Sequence, residues 1–327
     1  MKLKIINNSL TGIIALYICH TAALANDYTH EADIFLKSMP ENLQRAQAEA
    51  VTSATKGDIG NLEAVRKSRN TTPSLPSGIE CTDIGEKLRL FRNINSDNDT
   101  VPLLIYLHGG GWAFGSINSC SRYCGAMAEK GIAVLAVEYS LAPENPYPSG
   151  LEDCVEAVRT ATDSLTTWKC GKISIGGDSS GGNLAIATAM SLPENTFASL
   201  ILFYPVTKAY SDGSDDWLRY GKGYGLDSCL MDAFNSAYTD IPHNPLVSPA
   251  DAPYSMLKSL PPTLIVAAER DILRAQGYEF ANRLQQSGNE VEYTMFPGAV
   301  HLFITVAGQN KAFEDAVTLS SDFILKH

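Results

Sequence analysis

Positive charge is scarce in this chain of 327 residues: 25 Lys and Arg stand against 36 Asp and Glu, a formal net charge of −11. Neutralising a phosphate backbone needs the opposite balance, so no nucleic-acid partner is expected. Metal-ligand spacings are missing too: neither C-x-x-C nor H-E-x-x-H occurs, and no metal is expected. There is no internal repeat and no low-complexity tract. With 45% hydrophobic and 19% charged residues, what remains is the composition of an ordinary globular chain able to bury a large core.

The first 25 residues are set apart from that core. Lys2 and Lys4 give a basic start, "LTGIIALYI" a short apolar stretch, and Ala23-Leu24-Ala25 small residues at the spacing of a signal-peptidase site. The apolar stretch falls short of the ~20 residues a membrane span requires, so a leader cut after Ala25 is expected, with secretion or periplasmic delivery and no stable membrane insertion. Six cysteines lie beyond that point: Cys81, Cys120, Cys124, Cys154, Cys170 and Cys229. An even number in an oxidising compartment allows three disulfides, although spacing cannot pair them.

Along the chain, helical spacing from Asp27 to about Arg69 is followed by the linker "TTPSLPSG", making residues 26–77 a helical segment ahead of a main domain, 78–327. Two probable strands, "GIECTDI" and "KLRLFRN", open that domain. The runs "VPLLIYLH", "IAVLAVEY", "KISIGG", "SLILFYP" and "PTLIVAAE" then alternate with helix-like segments. They are short, rich in branched side chains and continuously apolar, as strands buried on both faces of a mainly parallel sheet must be. This pattern predicts an α/β fold, an open sheet flanked by helices. One long interval, about 207–260, interrupts the alternation and reads as a lid or binding insertion.

"SIGGDSSGGN" contains Gly177-Asp178-Ser179-Ser180-Gly181, a G-x-S-x-G match between the strand "KISIGG" and a helix starting near Asn183. That context suits a nucleophile elbow, a turn so tight that its flanks must be small, with Ser179 held above the sheet. A chemically silent tight turn has the same composition, but a phosphate-binding loop fails on spacing: no G-K-[ST] follows, and the third glycine of a G-x-G-x-x-G would fall on Phe114.

A serine nucleophile needs a base. Of the six histidines, His20 lies in the leader, His30 near the expected mature start, His327 at the end, His108 beside glycines and His243 in the Pro-rich insertion. His301, after the strand-like "VEYTMFPGAV", is the one well placed. The acid that orients it should lie at a strand end, and Asp271, just beyond "PTLIVAAE", fits better than Glu269 in the strand or Asp251 in a loop. Ser, Asp and His then follow one another in the α/β-hydrolase order. Three glycines behind a strand, Gly109 to Gly111, let backbone N–H groups approach a developing negative charge, so Gly110, Gly111 and the Ser180 amide read as an oxyanion hole.

"HGGGW", "YSLAPENPYP", "GDSSGG", "ERDILRAQG" and "GAVHLF", in this order, resemble the hormone-sensitive-lipase family of α/β-hydrolases, the GDSAG-type bacterial esterases, from about Gly78 to the C-terminus. The resemblance implies carboxylesterase activity on short acyl esters, no cofactor, and a cap made from the N-terminal helices plus the 207–260 insertion. It also implies supporting roles for His108, through a hydrogen bond to the glycine loop, and for Asp178. Trp112 and Phe114 are the expected substrate contacts, with Tyr147, Trp217, Tyr220 and Tyr224 as further aromatic candidates.

The chain departs from the family at Ser140, where arginine is usual, and at Ile272, Ala275 and Gln276 in the "DPLRDEG" motif. Loss of an ion pair between the Ser140 and Ala275 positions would follow if the two were neighbours. Leu302 replaces the glycine usual after the histidine, which would narrow the pocket or tilt His301. The expected partner is a small acyl ester, and a homodimer stays open. Amidase, lactonase and acyltransferase chemistry would use the same three residues. A non-catalytic binding protein on the same fold is the alternative class, and such a protein tends to have lost a member of the triad.

Overall fold

Strands apolar at every position need cover on both faces, and in the computed structural model of the protein they occupy the middle of a single sheet. The structure describes residues 2–4, 22–72, 74–96 and 98–327. The strands are β1 (Lys2–Lys4), β2 (Ile79–Ile84), β3 (Leu88–Asn93), β4 (Val101–Leu107), β5 (Ala133–Val137), β6 (Cys170–Asp178), β7 (Leu200–Phe203), β8 (Thr263–Arg270) and β9 (Val291–Val300). Their order is β1-β9-β8-β7-β6-β4-β5-β3-β2. From β9 to β5 all neighbours are parallel, whereas β3 and β2 close one edge antiparallel and the three-residue β1 pairs antiparallel with β9.

Alternation along the central strands divides the core in two. Leu103, Ile105 and Leu107 of β4 pack with the helices Ser149–Ser164 and Ser180–Ser191 on one face, while Leu104 and Tyr106 pack with Ile117–Glu129 and Asn310–Lys326 on the other. Each of these side chains is fully buried. Parallel strands connected in this way bring their C-terminal ends to one rim, so Leu107, Asp178, Phe203, Arg270 and Val300 all end there.

Three helices lie between β1 and β2: Ala22–Ser38, Leu43–Ala54 and Gly60–Arg69. The 207–260 interval contributes Asp215–Arg219, Ser228–Tyr238 and Tyr254–Leu257. Gln44 of the first group donates its amide to Gly225 O at 2.9 Å, so the two groups meet above the C-terminal rim. Most of the expected leader lies outside the described residues. Among the described residues no helix is long and apolar enough to cross a membrane.

Two expectations need correction. The helix after β6 begins at Ser180 and not near Asn183. Gly181 and Gly182 look like breakers in sequence, but a Cβ at Gly181 would overlap the Leu107 carbonyl oxygen, so glycine is what allows the helix to start so close to the neighbouring strand. The six cysteines also form no disulfides: Cys120, Cys124, Cys154 and Cys170 are buried as free thiols, and Cys81 and Cys229 are exposed. Buried thiols serve as small apolar core residues, and burial pushes that of Cys154 well above its ordinary value. Iodoacetamide without reductant should therefore modify Cys81 and Cys229 in the native protein and the other four only after denaturation. Peptide mapping that finds any of these six sites open to alkylation only after reduction would contradict this arrangement.

Candidate active site

The turn from β6 into the helix Ser180–Ser191 leaves Ser179 with φ 53° and ψ −119°, a conformation that L-residues avoid at a cost of about 1–3 kcal/mol. Its backbone is held from both sides: Ser179 N–H donates to Phe203 O at 2.9 Å, and Ser179 O accepts from Val206 N–H at 3.1 Å. A side chain at Gly177 would collide with Gly181 backbone. The Ser179 hydroxyl therefore stands at the rim, 7% exposed.

Two further rim residues converge on it. His301 follows β9, and its Nε2 lies 3.1 Å from Ser179 Oγ. Its Nδ1 lies 2.6 Å from Asp271 Oδ2, just beyond β8, while Asp271 Oδ1 accepts Leu273 N–H at 3.0 Å. A carboxylate can only accept, so Nδ1 carries the proton and Nε2 is free to accept from the serine. Both residues are almost fully buried. The imidazole packs on Tyr204, ring centroids 4.3 Å apart, and Gln309 braces the loop, accepting Val300 N–H and donating to Val300 O and His301 O. The competing acids are engaged elsewhere: Glu269 accepts Gly298 N–H at 2.6 Å, and Asp251 binds Tyr210 and His243.

The glycine loop after β4 faces the same point. Gly110, at φ 130°, accepts Ala113 N–H and Phe114 N–H on its carbonyl, and no residue larger than glycine fits at 110 or 111, where a Cβ would meet Phe114 O and the Phe234 ring. Among the described residues, no protein acceptor takes the N–H groups of Gly110, Gly111 or Ser180. His108 stacks on Tyr139, centroids 4.3 Å apart, and its Nδ1 is 2.9 Å from Gly109 O, where a carbonyl partner makes it the donor.

Asp178 fastens these pieces together. Its Oδ1 accepts Tyr106 O–H and Gly109 N–H, each at 3.0 Å, and its Oδ2 accepts Thr305 O–H at 2.8 Å, which joins the glycine loop to the His301 loop. Burial, reinforced by the Asp178 charge, pushes the Tyr106 phenol well above its ordinary value, so it remains a donor.

A cavity of about 380 Å³ opens over Ser179, within the usual size of small-molecule sites. Phe114 lines it. Trp112 does not: it is buried, stacked flat on Tyr238 at 4.1 Å, and so is a packing residue. Nor do Tyr147, Trp217, Tyr220 or Tyr224 line it. Sequence reasoning missed Gln47, Arg69, Arg122, Leu230 and Phe234, all of which do. Leu230 and Phe234 lie one turn apart on Ser228–Tyr238, a signal that could have marked them once that helix was placed. Arg69 ends a helix whose last turn holds three basic residues, which reads as an ordinary solvated C-terminus.

The departures at 140, 275, 276 and 302 also resolve. Ser140 follows β5 and Ala275 lies in the helix after β8; those strands are four spacings apart in the sheet, about 19 Å, which counts against an ion pair between the two positions. Asp153 accepts Ser140 N–H at 2.7 Å and pairs with Lys87 at 2.6 Å. Gln276 Oε1 accepts the N–H groups of Thr207 and Lys208, as a carboxylate would. Leu302 adopts φ 74° and lines the cavity, while the His301 contacts stay intact.

A model of the alpha/beta hydrolase fold family matches residues 104–305. The chain belongs to the hormone-sensitive-lipase-like family of α/β-hydrolases. It is 30% identical over 250 residues to the ethyl acetate hydrolase of Pseudomonas putida, covering 73% of this chain and 78% of that one. It is 34% identical over 237 residues to an arylesterase of Saccharolobus solfataricus, covering 69% and 75%. An ester-hydrolase from the metagenome of Lake Arreo, solved with a bipyridine phosphonate derivative, superposes with a TM-score of 0.68 at 26% identity, covering 87% of this chain and 99% of that one. At this level the chain is an esterase-type α/β-hydrolase.

Asp178→Asn tests the fastening. An amide replaces one acceptor oxygen with a donor that must face Thr305 or the Tyr106 and Gly109 donors, which should cost about 1–3 kcal/mol of stability. A lower unfolding temperature together with a lower kcat on any turned-over ester is expected. An unchanged unfolding temperature would contradict it.

Proposed function

We propose that the protein is a serine carboxylesterase acting on short-chain acyl esters. The observation that carries this reading is the contact series Asp271–His301–Ser179, at 2.6 and 3.1 Å, at a cavity that Gly110 and Gly111 also line, their N–H groups taken by no protein acceptor among the described residues.

Ser179 Oγ attacks the ester carbonyl carbon as His301 Nε2 takes its proton, and the carbonyl π pair moves onto oxygen. The N–H groups of Gly110, Gly111 and Ser180 receive that oxyanion. Such donors act best when fixed in advance, as these are by the turn at Gly110 and the start of the helix at Ser180. Asp271 stabilises the imidazolium without taking its proton. Collapse expels the alcohol, protonated by His301, and leaves an acyl group on Ser179. Water, deprotonated by His301, then attacks the acyl carbon and restores the free serine and the acid. Every proton transfer uses the same nitrogen, which is why the Asp271 contact at Nδ1 matters.

Phe114, Phe234 and Leu302 bound the cavity beside Ser179, which favours acyl groups of a few carbons, and the names of the ethyl acetate hydrolase and arylesterase relatives support ester substrates. Hydrolysis of p-nitrophenyl esters from acetate to dodecanoate tests the reading. Rates should be highest for the short esters and fall about 10⁴-fold or more in Ser179→Ala. Activity surviving in that variant, or no turnover of any ester, would overturn it.

A further inference from the structure

The residues lining the cavity over Ser179 are of two unlike kinds: Leu226, Leu230 and Phe234 are apolar, whereas Arg69, Thr71, Ser119 and Arg122 are charged or polar. Ser119 and Arg122 lie three residues apart on Ile117–Glu129 and so share a face of that helix.

Neither arginine has a carboxylate within ion-pair distance among the described residues, although the Asp178 charge acts on Arg69 and the Glu314 charge on Arg122. Arg69 makes no ion pair or hydrogen bond among the described residues, and its guanidinium sits 5.4 Å from the Phe114 ring centroid. Arg122 lies 3.6 Å from the Phe313 ring centroid and gives Nη2 to Asn310 Oδ1 at 3.1 Å, leaving its buried Nη1 with no acceptor. Burial pushes both guanidiniums down from their ordinary values, which marks them as poorly solvated cations. The one acid lining the cavity is Asp178, and its two oxygens already accept three donors. In a chain of net charge −11, a cavity with two partially buried cations and no free carboxylate is contrary to the surrounding charge.

Resting on the esterase reading, we infer that the ester this site prefers carries a carboxylate of its own, placed away from the scissile bond and bound by Arg69 and Arg122. A planar carboxylate accepts two parallel N–H donors from a guanidinium, and the Ser119 and Thr71 hydroxyls in the same lining can donate to it as well. The anion and the reacting carbonyl would then be held at two points, orienting the ester for attack by Ser179. The chemical class is a half-ester of a dicarboxylic acid, or an ester whose alcohol part bears an acid.

Matched probes test this: monoethyl succinate against diethyl succinate places the charge on the acyl side, and 4-acetoxybenzoate against its methyl ester places it on the leaving group. The wild-type protein should favour the anion in at least one pair by about tenfold or more in kcat/KM, with the preference shrinking as salt is raised. Arg69→Met and Arg122→Met should each reduce the ratio, and Arg69→Lys should retain more of it than Arg69→Met. Because each ratio is measured within one variant, a folding defect, which lowers both rates, does not imitate the effect. Neutral esters turned over with no anionic preference in either pair would overturn this inference and leave the esterase reading standing. If no ester were turned over, titration calorimetry of Ser179→Ala with glutarate and 4-hydroxybenzoate would still decide it: binding lost with Arg69→Met supports an anion site, and no binding of either acid refutes it.

Discussion

Everything at the rim depends on one turn that has no room for side chains. Between β6 and the helix that follows it, the chain reverses so closely against β4 that positions 177 and 181 admit only hydrogen, and Ser179 is forced to positive φ. The cost of that backbone is of the order of 1–3 kcal/mol, offset by strands buried on both faces and by hydrogen bonds that hold Ser179 from β7 and the loop after it. The same closeness puts Ser179 and the glycine loop on one cavity, with Ser180 opening the helix directly behind the serine. In the proposed mechanism strain and function share a cause: a relaxed turn would move the serine away from the glycine-loop and Ser180 amides.

Above this rim the roof is fastened by arginines that reach between elements. Arg66 pairs with Glu144 at 2.5 Å and also donates to Ala113 O and Ala142 O, next to the glycine loop. Arg270 pairs with Asp33 of the first helix and donates to Gly298 O, and Arg274 pairs with the buried Asp216 of the insertion. Partly exposed pairs of this kind add little stability singly. Their value here is positional, since a guanidinium that binds a carboxylate and a carbonyl together fixes one segment against another. Arg69 and Arg122, by contrast, line the cavity with no carboxylate at ion-pair distance, Arg122 donating only to Asn310 Oδ1.

Much of this was legible in the sequence, for stated physical reasons. Continuous, short, branched apolar runs suit central strands, and each of the five lies in the sheet. Gly177, Ser179 and Gly181 carry their geometry in their composition, because only residues without bulk permit that turn. Asp271 and His301 were placed by strand ends, and the structure brings both to Ser179. Legibility failed where contact depends on distant chain segments. Trp112 sits beside the glycines in sequence, yet its positive φ turns it away from the cavity and onto Tyr238. Arg69 and Phe234 reach the cavity from elements far from Ser179 in sequence, and no local period announces that. The even number of cysteines likewise suggested pairs, but four of them are spread through a core that needs small apolar groups.

The central claim is that Ser179 is an activated nucleophile, and trapping it covalently is the most direct test. Intact-mass and peptide analysis after treatment with a p-nitrophenyl alkylphosphonate should show one adduct, on the peptide containing Ser179, with p-nitrophenol released in equal amount. The His301→Gln variant should react at least about a hundredfold more slowly, because it lacks the group that takes the serine proton. An adduct on another residue, or equal labelling in His301→Gln, would contradict the account.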